Sequence, residues 1–152
     1  MGNFIRKPAI AGQLASRCLV IEDDPLDRKV MVRLLKESGA PVDIDTVDTI
    51  VAARERLISG AYDILLVDHH LPDGFGADFL TECNASGLLR WSRAYLFTVM
   101  PEHAARELRD PACHALLLDK EKLTREEIGR ILATALAATG AVSGREAEAA
   151  AR

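Results

Sequence analysis

Three carboxylates, a hydroxyl and an amine follow apolar segments of this chain: Asp23, Asp24, Asp68, Thr98 and Lys120. Carboxylates gathered at one place repel each other, and a hard divalent cation such as Mg²⁺ removes that repulsion. A carboxylate beside such a cation can attack phosphorus and form an acyl phosphate. These residue types therefore predict phosphoryl transfer to a side chain, provided that the fold brings the five residues together.

Each of these side chains would have its own role in such a site. Asp68 would be the nucleophile, and it would share Mg²⁺, or Mn²⁺, with Asp23 or Asp24. Lys120 would add a second positive charge beside the phosphoryl oxygens. Thr98 would donate a hydrogen bond, which is worth about 1 kcal/mol net and suits sensing of the phosphate better than driving its transfer.

Five apolar segments that alternate with helices would position these groups. The predicted strands are 17–22, 42–47, 64–67, 93–98 and 113–118, and the predicted helices begin near residues 25, 48, 76, 101 and 124. Short loops join these elements, which predicts a parallel sheet with helices on both faces. The half-exposed second strand belongs at an edge, so we predict the three-layer, doubly wound (βα)5, flavodoxin-like α/β fold with sheet order 2-1-3-4-5. This order opens a crevice at the carboxyl ends of the first and third strands.

Helical periodicity also predicts which side chains face the sheet. In the first helix Leu26, Val30 and Leu34 recur at spacings of four, and in the second Ile50, Leu57 and Ile58 share a face. The third helix is expected to bury Phe79, Leu80 and Cys83, and the last carries on one face Ile128, Ile131, Leu132, Ala135 and Leu136. The fourth helix is short and weakly amphipathic.

The composition is that of a soluble globular protein of one domain. Hydrophobic residues make up 49% of the chain and charged residues 28%, and the net charge is −4. The chain has no basic cluster, no apolar run long enough for a membrane span and no secretory signal, so we expect neither nucleic-acid nor membrane binding. Cys18, Cys83 and Cys113 lack metal or disulfide spacing and are expected to be core residues of a cytoplasmic protein.

Each candidate site residue also has a purely structural interpretation. Asp23 or Asp24 could cap the first helix, and Asp68 could form a turn. Thr98 suits a strand, and Lys120 could be a solvated charge. Four strand ends that carry compatible groups favour a phosphoryl site over these separate explanations.

Two adjacent histidines follow Asp68. His69 and His70 suggest a metal site, but adjacent residues leaving a strand point in opposite directions, and no third ligand stands at a suitable spacing. We therefore predict a surface loop here. His70, two residues beyond Asp68, could still alter the hydrolysis of a bound phosphoryl group.

The same residues form motifs that resemble those of bacterial two-component response-regulator receiver domains. The motifs are I-E-D-D-P at 21–25, V-D-H-H-L-P-D-G at 67–74, F-T at 97–98 and D-K at 119–120. The intervals between Asp24, Asp68, Thr98 and Lys120 are 44, 30 and 22 residues, as is typical of that family. We expect the receiver to cover 17–138, with a flexible N-terminal extension at 1–16 and a C-terminal tail at 139–152.

The resemblance implies a role for each motif. Asp68 would accept a phosphoryl group from the phosphohistidine of a sensor histidine kinase or a histidine phosphotransfer protein. The implied Mg²⁺ ligands are Asp23, Asp24, Asp68 and the backbone carbonyl of His70, and the implied switch residues are Thr98 and Lys120.

Several positions depart from the family pattern. Glu121 follows the lysine where relatives usually have proline, Leu117 stands where many have Tyr or Phe, and Val99 stands where Ala or Gly is commoner. We expect Val99 and Leu117, together with His70 and Met100, to modulate the site.

The resemblance implies a single-domain, CheY-like response regulator. It would signal by docking on a target protein through the face of helix 4, strand 5 and helix 5, or by relaying the phosphate. We expect a phosphoprotein switch rather than an enzyme, because a phosphatase of this chemistry would need an aspartate in place of His70. The alternative function is an adaptor that keeps the fold and acts independently of phosphorylation.

Overall fold

A computed structural model describes residues 16–90, 92–108, 113, 115–135 and 137. The strands of the main sheet are β1 Ser16–Ile21, β2 Val42–Val47, β3 Ile64–Asp68, β4 Arg93–Thr98 and β5 Leu116–Asp119. The helices are α1 Pro25–Glu37, α2 Ile50–Ser59, α3 Gly76–Ala85, α4 Pro101–Glu107 and α5 at 125–137, in which residue 136 is not described. The strands are parallel in the order β2-β1-β3-β4-β5, which confirms the predicted doubly wound α/β fold.

The register of the sheet aligns the strand ends that carry the candidate residues. Ile21 of β1 pairs with Val67 of β3, so that residues 22 and 68 follow at the same edge. Asp68 pairs with Phe97, the residue before Thr98. All five residues of β3 are buried, as the unbroken apolar run predicts.

Alternate residues of the strands face two separate hydrophobic layers. One layer joins residues such as Leu65 and Leu96 to the buried sides of α2 and α3. The other joins residues such as Leu66 and Phe97 to α1 and α5. The sheet is therefore covered on both faces, and its chemistry is confined to the carboxyl edge.

The predicted face of α1 is only partly covered, because Leu34 alone of its three residues packs against the layer of Met31 and Leu35. Leu26 is 73% exposed and Val30 57% exposed, whereas Met31 and Leu35 are buried against the sheet. A spacing of four residues recurs on more than one side of a helix, and packing on the sheet decides which side is covered. In α2, Ile50 and Leu57 are buried as predicted, but Ile58 is exposed.

The other predicted helix faces agree with the structure. Phe79, Leu80 and Cys83 of α3 are buried, and so are Ile128, Leu132 and Ala135 of α5. Ile131 is partly buried against the same layer, and Leu136 lies outside the described residues.

The last strand begins later than predicted. β5 pairs with β4 from Leu116 onward and ends at Asp119, and a 3₁₀ turn follows at Lys120–Lys122. The apolar character of 113–118 does not distinguish paired residues from the approach to the strand, because pairing depends on the neighbouring β4.

A small hairpin follows the end of β3. His70–Leu71 pairs with Gly74–Phe75, and Pro72 and Asp73 form the turn between them. Asp73 in this turn accepts hydrogen bonds from the N–H groups of Ile50 and Val51 at 2.9 and 3.0 Å, which caps the start of α2. The turn after β3 is therefore hydrogen-bonded to the N-terminus of α2.

Two further expectations concern the cysteines and the membrane. Cys18 and Cys83 are buried free thiols, and burial raises the pKa of each to about 12, as suits core residues. Within the described part of the chain, every helix falls short of the length and apolar character that crossing a membrane requires.

Candidate functional site

Asp68 lies at the end of the central strand and is 6% exposed. The backbone around it is tightly held: His69 N–H donates to the Phe97 carbonyl, and Gly76 N–H donates to the His69 carbonyl at 2.8 Å. A side chain at Gly76 would collide with the Asp68 carbonyl oxygen, so the close approach of α3 to the strand end requires glycine.

Three carboxylates meet at this edge. Glu22, Asp23 and Asp68 each offer an oxygen, and these oxygens lie within 4.8 Å of one another. Glu22 is 1% exposed, whereas Asp23 is exposed. Carboxylates at this spacing match the donor set of a hard divalent cation such as Mg²⁺, so the residues present fit that ion.

Glu22 is the residue that sequence reasoning missed. It follows the last residue of β1 directly, and we had assigned it to the strand rather than to the site. The I-E-D-D-P motif could have indicated Glu22 as a site residue. Three successive acidic residues follow β1, and Glu22 is the one nearest the sheet.

Asp24 lies outside the carboxylate cluster and caps α1. Its Oδ1 accepts hydrogen bonds from the N–H groups of Leu26 at 2.8 Å and Asp27 at 3.0 Å. These bonds hold the pKa of Asp24 below its usual value. Pro25 opens the helix, and the residue before such a proline is the natural N-cap. The capping interpretation therefore describes Asp24.

Lys120 brings its ammonium into the centre of this edge. The Lys120 Nζ lies 2.8 Å from Glu22 Oε2, 3.0 Å from Asp27 Oδ2 and 3.2 Å from Asp68 Oδ1. It also lies 5.1 Å from the centre of the Phe97 ring. The amine is thus a neutralising charge for buried carboxylates rather than a solvated one.

Burial and pairing act in opposite directions on these groups. Burial alone would lower the pKa of Lys120, but its hydrogen bonds to Glu22 and Asp27 and the charge of Asp68 raise it above the usual value. Burial raises the pKa of Glu22 to about 7, although the bond from Lys120 opposes that change. Lys120 is therefore charged at neutral pH, and a cation would favour the ionised form of Glu22.

Thr98 is buried at the end of β4, next to the strand of Asp68. Its Oγ1 accepts a hydrogen bond from Met100 N–H at 3.1 Å, so the hydroxyl hydrogen is not used by this bond. Met100 is the residue before α4, and Thr98 thereby contacts the start of that helix. Val99 and Met100 are exposed beside it.

The sequence of residues 18–106, more than half of the chain, matches the response regulator receiver domain family. The chain belongs to that family. Receiver domains are phosphoacceptor modules of two-component signalling rather than enzymes acting on an external substrate. A comparison with curated proteins finds no match.

Solved receiver structures share the fold of this receiver. The signal receiver domain of an HD domain-containing protein from Pseudomonas fluorescens Pf-5 is 18% identical with a TM-score of 0.73, over 87% of this chain and 94% of that chain. The receiver domain of the putative response regulator NarL from Mycobacterium tuberculosis is 26% identical with a TM-score of 0.63, over 80% and 96%.

A third similar structure holds a metal. The receiver domain of sensor histidine kinase PA1611 from Pseudomonas aeruginosa PAO1 has a magnesium ion coordinated in its active-site cleft. It is 22% identical to this receiver with a TM-score of 0.67, over 78% of this chain and 94% of that chain.

Glu121 and Leu117, which depart from the family pattern, lie close to Lys120 in the chain. No peptide bond among the described residues is cis, so the Lys120–Glu121 bond is trans. The Glu121 N–H donates to Asp119 Oδ1 at 3.0 Å within the 3₁₀ turn. Leu117 is half-buried and packs against the layer that contains Leu96.

The prediction of a surface loop is wrong for His69. Its side chain is fully buried, whereas His70 is exposed, and the two rings contact each other edge to face with centroids 4.8 Å apart. The strand ends at Asp68, so the alternation of side chains that we had assumed does not continue through the two histidines. His70 pairs with Phe75 in the hairpin.

Proposed function

We propose that this receiver is a phosphorylation-controlled response regulator whose phosphoacceptor is Asp68. The proposal depends on one observation: the Lys120 ammonium lies 3.2 Å from Asp68 Oδ1, within a cluster of three carboxylates that suits a divalent cation. A nucleophilic carboxylate, a counter-charge and a cation-binding set are the groups that transfer of a phosphoryl group to a carboxylate requires.

The phosphoryl donor would be the phosphohistidine of a sensor histidine kinase or a histidine phosphotransfer protein. An Asp68 oxygen would attack phosphorus in line, the new O–P bond would form as the P–N bond breaks, and the electron pair of that bond would return to the donor imidazole. Lys120 would stabilise the negative charge on the phosphoryl oxygens. Thr98 would donate its hydroxyl hydrogen to one of them.

Glu22, Asp23 and Asp68 would hold Mg²⁺, or Mn²⁺, in this reaction. The cation would offset the charge of the transferring phosphoryl group and the mutual repulsion of the carboxylates. A role for the His70 carbonyl as a further ligand remains part of the proposal. Asp24 keeps α1 capped and would act on the site only through the position of that helix.

The signal would pass from Thr98 to α4. Phosphorylation adds about 1.5 to 2 negative charges, and movement of the Thr98 hydroxyl toward them would break its bond to Met100 N–H. Release of that bond would alter the start of α4 and the exposed side chains Val99 and Met100 beside it. A target protein would dock on the face of α4, β5 and α5, or the phosphate would pass to a second histidine.

The proposal carries further expectations about the whole chain. The working unit would be 17–138, and its partners would be cytoplasmic proteins rather than nucleic acid or membrane.

Beryllium fluoride tests the central assignment, because it forms a phosphoryl-like adduct on a reactive carboxylate in the presence of Mg²⁺. We expect the wild-type chain to form the adduct, seen by ¹⁹F NMR and by shifts of amides around Thr98. Asp68→Asn should lose it. Asp43→Asn, which changes an exposed aspartate on β2, serves as the matched control and should retain it.

Absence of the adduct from the wild-type chain would leave the alternative, an adaptor that acts independently of phosphorylation. A phosphotransfer assay against purified histidine kinases then identifies the donor, with Asp68→Asn as the acceptor-minus control.

A further inference from the structure

Three histidines from two different elements meet beside the carboxylate cluster. His69 and His70 follow β3, and His103 lies on α4. The ring centroids of His69 and His103 are 5.9 Å apart, and those of His70 and His103 are 6.5 Å apart. Phe75 of the hairpin stacks on the His69 ring at 5.3 Å and closes one side of the group.

His69 is the unusual member of this group. Its ring is fully buried, yet neither Nδ1 nor Nε2 has a hydrogen-bond partner among the described residues. Buried polar atoms without a partner cost free energy, and their presence calls for a ligand that would satisfy them. Burial, with the charges of His70 and His103, lowers the pKa of His69.

We propose that His69, His70 and His103 bind one transition-metal ion of the Zn²⁺ class. The site is separate from the Glu22, Asp23 and Asp68 cluster and does not depend on phosphorylation. Imidazole nitrogens select borderline ions such as Zn²⁺, Ni²⁺ or Cu²⁺, whereas a set of carboxylates favours Mg²⁺. The two clusters therefore differ in the ions that they would take.

The distances between the rings suit a shared ion. A Zn–N bond is about 2.0–2.1 Å, so three imidazoles around one tetrahedral ion have centroids roughly 5 Å apart. The centroid separations are 4.8 Å for His69 and His70, 5.9 Å for His69 and His103, and 6.5 Å for His70 and His103.

Ring rotation would complete the site. Among the described residues, only the acidic group has its ligand atoms within 4.8 Å of one another, so the imidazole nitrogens do not yet converge. His70 and His103 are exposed, and their rings can turn about χ2 without disturbing the core. The buried His69 ring would stay fixed against Phe75. Rotation of the His70 and His103 rings would bring their nitrogens toward the same ion as His69.

A nearby carboxylate would balance part of the ion's charge. Glu107 lies one helical turn after His103 on α4, and its charge acts on the His69 ring. A water molecule or Glu107 would complete a four-ligand set, as is common where a protein supplies three histidines. The ion would connect the hairpin after Asp68 to α4.

Titration of the full chain with Zn²⁺ in excess Mg²⁺ tests this site, since Mg²⁺ occupies the acidic cluster. By isothermal titration calorimetry we expect one Zn²⁺ per chain, with the same affinity in Asp68→Asn. His103→Gln should weaken the affinity by more than about tenfold, because loss of even an outer partner of a metal ligand costs about that much. His114→Gln, a change of the fourth histidine of the chain, is the matched control and should leave the affinity unchanged.

Two measurements separate loss of a metal ligand from loss of folding and identify the atoms that bind Zn²⁺. His103 is exposed, and the thermal unfolding of His103→Gln without metal should match that of the wild-type chain. X-ray absorption of the Zn²⁺ complex should show imidazole ligands. The proposal is overturned if the wild-type chain fails to bind Zn²⁺ in excess Mg²⁺, if His103→Gln binds it unchanged, if Asp68→Asn loses it, or if the ligands are oxygen alone.

Discussion

The Lys120 ammonium lies 2.8 Å from a carboxylate oxygen of Glu22, a residue almost wholly removed from solvent. The same ammonium contacts Asp27 and Asp68. Breaking a buried ion pair by removing one partner leaves an uncompensated charge, which costs far more than the pair contributes. Lys120 and a bound cation would therefore stabilise the same negative charges, and each should reduce the need for the other.

Replacing Lys120 with methionine should destabilise the metal-free receiver by about 3 kcal/mol, because the buried carboxylates lose their counter-charge. Mg²⁺ should restore more stability to Lys120→Met than to the wild-type chain, as measured by urea unfolding with and without Mg²⁺. Lys122→Met is the matched control, since Lys122 is 80% exposed and its ion pair with Asp119 is worth at most about 0.5 kcal/mol. Equal gains from Mg²⁺ in wild type and Lys120→Met would contradict this overlap.

Glu22→Gln and Asp24→Asn distinguish the carboxylate that we propose as a cation ligand from the one that caps the helix. Glu22→Gln should weaken Mg²⁺ binding by at least the tenfold or so that loss of an outer-shell partner costs. Asparagine is also a good N-cap, so Asp24→Asn should change Mg²⁺ affinity little. Intrinsic fluorescence or calorimetry would measure both affinities, and a larger loss in Asp24→Asn than in Glu22→Gln would reverse the assignment.

Gly76→Ala should disturb Asp68, the proposed phosphoacceptor, from the side of α3. The added Cβ would collide with the Asp68 carbonyl and lie 2.8 Å from Leu96 Cδ1, and overpacking of this kind costs about 1–3 kcal/mol. Gly129→Ala in α5 is the control: its Cβ meets nothing within 4 Å, and alanine should stabilise the helix by about 0.5–1 kcal/mol. Denaturant unfolding should show a lower free energy of unfolding for Gly76→Ala and a higher one for Gly129→Ala. An unchanged free energy of unfolding in Gly76→Ala would show that α3 can move away from Asp68.

Asp45 gives the receiver a stability that depends on pH. Tyr62 Oη donates to Asp45 Oδ2 at 2.6 Å, and this bond, with the Arg17 guanidinium, holds the pKa of Asp45 below its usual value. A carboxyl whose pKa is lowered by folding contributes stability above its unfolded pKa and loses it as the pH falls through the folded value.

Asp45→Asn should therefore be less stable than wild type by about 1 kcal/mol at neutral pH, and the difference should shrink as the pH falls below about 4. Unfolding measured across this range tests the sign. Asp43→Asn, on the exposed side of the same strand, should show no such trend. If the difference in the free energy of unfolding between wild type and Asp45→Asn stays constant with pH, the variant acts through packing rather than through the charge of Asp45.

The strand ends could be predicted because an apolar run that stops at a charge marks both a buried strand and the edge of a sheet. β2 and β4 have the predicted bounds, and Asp68 lies where the run predicts. The covered side of α1 could not be predicted in full. Leu26, Val30 and Leu34 recur at a regular spacing, but only Leu34 of these three packs against the sheet layer. Only contact with the sheet distinguishes the two sides of such a helix.

The sequence predicts that the candidate residues share one sheet edge, but the contacts among them depend on residues far apart in the chain. Lys120 and Asp68 follow different strands and meet through the sheet order, which the alternation of elements predicts. Glu22 and Asp24 differ by two positions, and only the helix start at Pro25 decides which one faces the site. No spacing in the sequence predicts the contact between His69 and His103, because it arises from the packing of α4 beside the hairpin.

The cap that Asp73 forms on α2 gives the molecule a reporter in a helix other than α4. The turn that begins just beyond Asp68 holds the amides of Ile50 and Val51, so a shift of that turn would lengthen two hydrogen bonds to another element. Hydrogen exchange at these two amides would then reveal strain in the hairpin directly. A rise in their exchange rate would mean that the hairpin pulls on α2, giving the receiver a second route by which a chemical event becomes movement.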